Sequence, residues 1–200
     1  VHLQVTREDY FEAALTVLTS DGHHALKMGV LCKRLGVTTG SFYNYFGSWA
    51  EFTPDLLTYW ESLQARRLSE RTNAASTPAR HWEAPTPAGE AVHHDAELAI
   101  RAWSNGDPMV ATVQQRIDSR RSDALRARLR SSDADDERSE LLTVAALSMM
   151  VGIQQLGFTL DIEDAIAAIA SDDTASELVL LQMLDRALRS GQDPVLSQAG

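Results

Sequence analysis

Apolar residues recur at three- and four-residue spacing along most of this 200-residue chain, and nowhere do they alternate with polar ones over the length of a strand. That pattern constrains the architecture to helices that bury one face each. Phe11, Ala14, Leu15 and Leu18 make the first such face. Thr6, with Asp9 three residues on, approximates a capping box ahead of it, and Asp21-Gly22 is a stop signal behind it. Two short segments follow, at 29–35 and 39–45, separated by Gly36-Val37. A longer helix from about Trp49 to Arg71 carries the stripe Phe52, Leu56, Tyr59 and Leu63, and Pro54 is tolerable in it only near its first turn. Residues 72–89 hold three prolines and no periodicity, so they read as a connection, anchored by His81-Trp82. Further helices are expected at about 90–104, then from Asp107-Pro108 as N-cap and first residue to about 130. Acidic residues 131–137 separate these from helices at about 138–158, 162–170 and 174–189. The expected fold class is all-α, with no internal repeat.

Hydrophobic residues are 44% and charged residues 23%, enough for a core and too apolar for a disordered chain. The single cysteine, Cys32, excludes an internal disulfide framework and a cysteine-type zinc site. The six histidines include no pair at i, i+4 and no HExxH, and no nucleophile elbow or phosphate-cradling glycine loop is present. The expectation is therefore no metal, no cofactor and no enzyme. The first residues contain no apolar run of signal-peptide length, which makes the cytoplasm the default compartment. Residues 141–160 carry no charge and are long enough to span a bilayer, but Thr143, Ser148, Gln154, Gln155 and Thr159 dilute them and no basic cluster flanks them. A buried helix is the better reading, with no membrane partner. Both this segment and 174–189 are too apolar for one core face. Either the monomer has a large core, or a second copy of the chain covers them as a homodimer.

Charge is uneven. The net charge is −10, yet residues 1–71 hold 7 basic and 8 acidic side chains, so most of the excess lies beyond them. Residues 22–50 contain no acid at all, while Lys27, Lys33 and Arg34 sit there beside His23 and His24. The gap is either chance or a place where an anion approaches without repulsion.

Within that gap lies MGVLCKRLGVTTGSFYNYF, residues 28–46. Two short helices meeting at a glycine, with apolar residues before, in and after the turn, are the signature of a helix-turn-helix. Leu31, Cys32 and Leu35 face inward, Val37 plugs the turn, and Phe42 and Phe46 anchor the second helix as an i, i+4 pair. Thr38, Thr39, Ser41, Tyr43, Asn44 and Tyr45 are left to project outward, a composition suited to base and phosphate contacts.

The segment LCKRLGVTTGSFYNYFGSWAEF resembles the helix-turn-helix of the tetracycline-repressor (TetR) family of transcriptional regulators. Leu31-Cys32, Gly36-Val37, Phe42-Tyr43 and Phe46 stand at the family's motif positions, and the flanking helices extend the match to about residues 6–62. The resemblance implies a DNA-binding domain at 1–48 and a helical ligand-binding and dimerisation domain at 49–200. It implies a homodimer on a pseudo-palindromic double-stranded operator, most often as a repressor released by a small molecule. Carried over by position, Ser41, Tyr43 and Tyr45 are expected DNA contacts, with Thr39 and Asn44 as further candidates. Two positions depart from the family. Met28 stands where a Ser or Thr commonly caps the helix and touches phosphate, and Trp49 where a Lys commonly does. Lys27, Lys33 and Arg34 are the residues that would compensate. The Trp49 indole either donates to a phosphate oxygen or packs between domains. For the ligand, the family's pattern directs attention to Trp60, Trp103, Met149, Ile153 and Gln154, each of which is equally well placed as ordinary core, and to an apolar or aromatic molecule. The alternative is an all-helical adaptor that kept the fold and lost DNA binding.

Overall fold

The computed structural model describes residues 5–75, 87–130 and 136–156. Seven α-helices and one short 3-10 turn account for nearly all of them, with no strand among the described residues. They are α1 (Arg7–Asp21), the turn His23–Ala25, α2 (Met28–Leu35), α3 (Thr39–Tyr45), α4 (Trp49–Ala75), α5 (Pro87–Ser104), α6 (Pro108–Arg130) and α7 (Asp136–Leu156). The helices expected at 162–170 and 174–189, and the anchor His81-Trp82, lie outside the described residues. Among the described residues no helix is long and apolar enough to cross a membrane.

The helix ends form where local chemistry dictates. Thr6 accepts from the Asp9 N–H at 3.2 Å, and the Asp9 carboxylate accepts from the Thr6 N–H at 2.6 Å, which completes the capping box. Those hydrogen bonds, the backbone one foremost, hold the Asp9 carboxyl below its usual pKa. Gly22 ends α1 with φ 74° and ψ 175°, a conformation that favours glycine. Asp107 accepts from the Met109 N–H at 2.9 Å and so caps α6, with Pro108 opening it. Pro54 falls in the second turn of α4 rather than the first. It deprives the Ala50 carbonyl of its helical donor, and Ala50 is exposed, so water can replace the bond.

Two compact units divide the chain, Val1–Arg121 and Ser122–Gly200. In the first, α1 is the centre. Tyr10, Phe11, Ala13, Ala14, Leu15, Val17 and Leu18 are all buried, too many for one face, because α1 packs on α2 and α4 and most extensively on α5. The cluster continues through Leu31, Phe42, Phe46, Phe52, Leu56, Leu57, Trp60, Ile100 and Val110. Residues 1–48 thus share this unit with α4, α5 and most of α6. In the second unit, α7 buries Ser139, Leu142, Thr143 and Ala146, and the Thr143 hydroxyl donates to the Ser139 carbonyl at 2.7 Å.

Candidate nucleic-acid interface

The turn between α2 and α3 is set by Gly36, at φ 67° and ψ 29°, the left-handed region where any side chain is strained. Its N–H and that of Val37 both reach the Cys32 carbonyl, the latter at 3.0 Å, which closes the end of α2. Thr38 then caps α3 by accepting from the Ser41 N–H at 3.4 Å. Leu31 and Cys32 are buried beneath the turn and Leu35 and Val37 pack against the same core. Burial pushes the Cys32 thiol up in pKa, so it stays protonated and acts as a small apolar side chain.

Phe42 and Phe46 fix the back of α3. Their rings lie 4.9 Å apart, and each meets Tyr10 of α1 nearly edge-on, at 5.7 and 5.6 Å. Edge-to-face pairs of this kind are worth about 0.5–1.5 kcal/mol each beyond area burial. Phe46 also meets Phe52 of α4 at 4.9 Å and 88°. The seven-residue helix is therefore held from two sides, by α1 and α4.

With that stripe inward, Thr38, Thr39, Gly40, Tyr43 and Asn44 are exposed, Tyr43 by 52%. Ser41 and Tyr45 are not, which corrects the expectation that all six polar residues project outward. A 100° step per residue places positions 41 and 45 at the edge of the stripe formed by 42 and 46, and both are half-buried there. The Tyr10 hydroxyl donates to Ser41 Oγ at 3.0 Å, and burial raises the pKa of Tyr10 so that it keeps its proton. The Tyr45 hydroxyl donates to the Val5 carbonyl. These two residues brace the helix from within. Tyr10 and Val5 were not picked out in the sequence; Tyr10 at the spacing of Ala14 and Val17 reads there as one more core aromatic.

Around this face, Lys27, Lys33 and Arg34 are exposed and, among the described residues, in no ion pair. Lys33 and Arg34 fall in the last turn of α2, where cations complement the helix dipole. The N-cap of α2 is Lys27, and Met28, expected at the capping position, is instead the first helical residue; Lys27 makes no side-chain cap, so that helix start is bare. Trp49 is half-buried and stacks on Phe52, centroids 5.0 Å apart at 24°, with Phe42 5.9 Å away. Its ring joins the aromatic cluster under α3.

The expected ligand residues fall in different places. Trp60 is fully buried and its indole N–H has no partner among the described residues. Trp103, 9% exposed, stacks on His23 at 5.9 Å and 5°, linking α5 to the turn after α1. Met149 is half-buried on α7, in the second unit. The side chains of Ile153 and Gln154 lie outside the described residues. Residue spacing did not disclose a polar chain that runs across α4, α5 and α6. Arg121 donates to both oxygens of buried Glu97 and, at 2.8 Å, to Gln64. Arg101 donates to both oxygens of Asp118, at 2.8 and 2.9 Å, and Gln114 donates to Asp118 at 3.1 Å. Burial opposes ionisation of Glu97, but Arg121 and Arg101 outweigh it and hold the carboxyl below its ordinary pKa. Arg121 is thus turned inward, while Arg120 pairs at the surface with Glu61. The signal was present: Glu97 and Arg101, four apart, interrupt an otherwise apolar stretch.

Comparison with known proteins follows the motif. Residues 11–52 match the family model described as bacterial regulatory proteins, tetR family. No curated protein sequence matches the chain. A transcriptional regulator from Rhodococcus sp. Rha1 is 17% identical with a TM-score of 0.59, over 93% of this chain and 97% of its own. Salmonella enterica GusR is 17% identical with a TM-score of 0.55, over 92% and 95%. The multidrug binding protein EbrR, solved with imidazole, is 15% identical with a TM-score of 0.52, over 88% and 93%. At these identities the likeness is one of fold: all-α, with an N-terminal helix-turn-helix.

Proposed function

We propose that this chain, with a tetR-family helix-turn-helix at its N-terminal end, is a DNA-binding transcriptional regulator that a small molecule releases from its operator. Residues 1–48 form the reading head and 49–200 the ligand-binding and dimerisation domain. A homodimer sets two copies of α3 in successive major grooves, about 34–36 Å apart, on a pseudo-palindrome. The observation that carries this reading is the outer face of α3. Thr39, Tyr43 and Asn44 stand exposed on a helix locked from behind, next to three exposed cations in a stretch without acids. Phosphate contacts from Lys27, Lys33, Arg34 and Thr38 would set the register, and the α3 side chains would meet base edges. Ser41 and Tyr45 serve in this reading by holding α3 in place, and Trp49 by packing beneath it.

Regulation has a route through α1, which packs on both α2 and α5. A ligand that favours one arrangement of α4 and α5 shifts α1 and so α3, and weakens DNA binding by its differential affinity for the two arrangements. The effector suggested is an apolar or aromatic molecule, with one acceptor for the Trp60 indole N–H, which has no partner among the described residues. EbrR, with the same fold, is described as a multidrug binding protein, which supports a small-molecule role. Selection of bound fragments from a random duplex pool at low salt tests the reading. A recovered palindrome with half-sites one helical turn apart supports it. Failure to enrich any duplex, with and without small-molecule extracts, would favour the adaptor instead.

A further inference from the structure

We propose that Asn44 reads an adenine in each operator half-site, and that Gly40 is left bare one turn before it so that it can. The inference rests on the DNA-binding reading above and names what the helix recognises.

The outer face of α3 consists of two adjacent stripes four residues long. One carries Thr39 and Tyr43, the other Gly40 and Asn44. Side chains on a helix lean toward its N-terminus, so the Asn44 amide lies over the turn that holds Gly40. Asn44 is exposed and makes no hydrogen bond within the described residues. No residue from Thr38 to Ser48 is charged, so α3 has no Arg or Lys to grip the O6 and N7 of guanine. Asn44 is the one side chain on it that presents a donor and an acceptor on two separate atoms, side by side in one amide plane. That pair matches N7 and N6 of adenine in the major groove.

Gly40 supplies the second observation. A glycine weakens a helix relative to alanine, and the fold does not require one here. Among the described residues, a Cβ at position 40 would meet only Thr38 Oγ1, at 3.6 Å, an ordinary contact. The missing side chain is therefore useful to something outside the chain. Asn is short, and it reaches a base edge only if the helix backbone comes close to the groove floor. A bare position one turn ahead on the same stripe permits that approach, and the longer Tyr43 reaches from the neighbouring stripe without it.

The test uses the full chain and the duplex pool. Each half-site recovered by the natural protein should carry one invariant A·T pair under α3. Asn44→Ala should lose discrimination at that pair alone, by about 5- to 150-fold, and keep the rest of the consensus. Replacing that adenine by 7-deazaadenine, which removes N7, should weaken the natural protein and leave Asn44→Ala unaffected. Gly40→Ala should unfold at higher denaturant yet show the same relaxed discrimination. A consensus without that A·T pair, or one that Asn44→Ala retains, overturns the inference while DNA binding stands. A pool that enriches no sequence at all overturns the DNA-binding reading and this inference with it.

Discussion

Replacing Glu97 by glutamine probes the polar chain inside the first unit with little change of shape. Glu97 is 6% exposed and accepts two hydrogen bonds from Arg121, one of them at 2.9 Å, and a longer one from Arg101 at 3.4 Å. Hydrogen bonds to charged groups contribute about 1.5–3 kcal/mol each. Glutamine keeps one acceptor for Arg121 but turns an amide N–H toward the other guanidinium donor. Arg121 retains Gln64 at 2.8 Å and lies 3.6 Å from Asp118, so its charge is not left wholly without a partner. Breaking a buried pair on one side costs about 3–5 kcal/mol. With those retained contacts, about 2–4 kcal/mol is expected for Glu97→Gln, a large part of the about 5–15 kcal/mol typical of a folded protein. Urea unfolding followed by tryptophan fluorescence measures it, since Trp60 and Trp103 are in the same core. The pH dependence is a second check. Because the Glu97 carboxyl is held below its ordinary pKa when folded, its contribution is full above about pH 4.3, the unfolded value, and is lost as the pH falls through the folded one. The gap between natural protein and variant should be wide at pH 7 and narrow below about pH 4. A loss under about 1 kcal/mol at pH 7, or a gap indifferent to acid, would refute the reasoning.

Tyr43→Ala should abolish sequence-specific binding in a mobility-shift assay while the elution volume of the oligomer stays unchanged, because Tyr43 is exposed and outside the core; retained specific binding would count against the role given to α3. Lys33→Ala should weaken binding to all duplexes alike and reduce the salt slope by about 0.9; an unchanged slope removes Lys33 from the phosphate contacts. Gly36→Ala should cost about 1–2 kcal/mol in urea unfolding, since φ 67° is then strained; a neutral result would mean the turn can adopt another conformation.

What the sequence made legible was whatever local chemistry decides. Thr6 and Asp9, Gly22, Gly36 and Asp107 each act on neighbours within a few residues, so those helix ends were readable from residue type and spacing. The apolar pair Phe42 and Phe46 likewise fixed which side of α3 is inward. Long-range pairing was not legible. Whether a tyrosine hydroxyl points to solvent depends on what lies across from it, and Ser41 and Tyr45 were turned inward by Tyr10 and Val5, 31 and 40 residues away. The inward turn of Arg121 was not legible for the same reason: its partners Glu97 and Gln64 come from two other helices. Trp49 joined the aromatic cluster because Phe42 and Phe52 converge beneath it, a meeting that spacing alone does not disclose.

The division within α3 has a practical consequence. Positions 39, 40, 43 and 44 are exposed, with Tyr43 meeting only the edge of its neighbour Phe42 among the described rings, whereas 41, 42, 45 and 46 are tied to α1, α4 or the segment before α1. The helix thus behaves like a type block fixed in its frame, whose printing surface can be recut without disturbing the press. A library randomised only at the first four positions should yield folded proteins almost without exception, and its members should differ in which duplex they prefer rather than in how firmly they hold together.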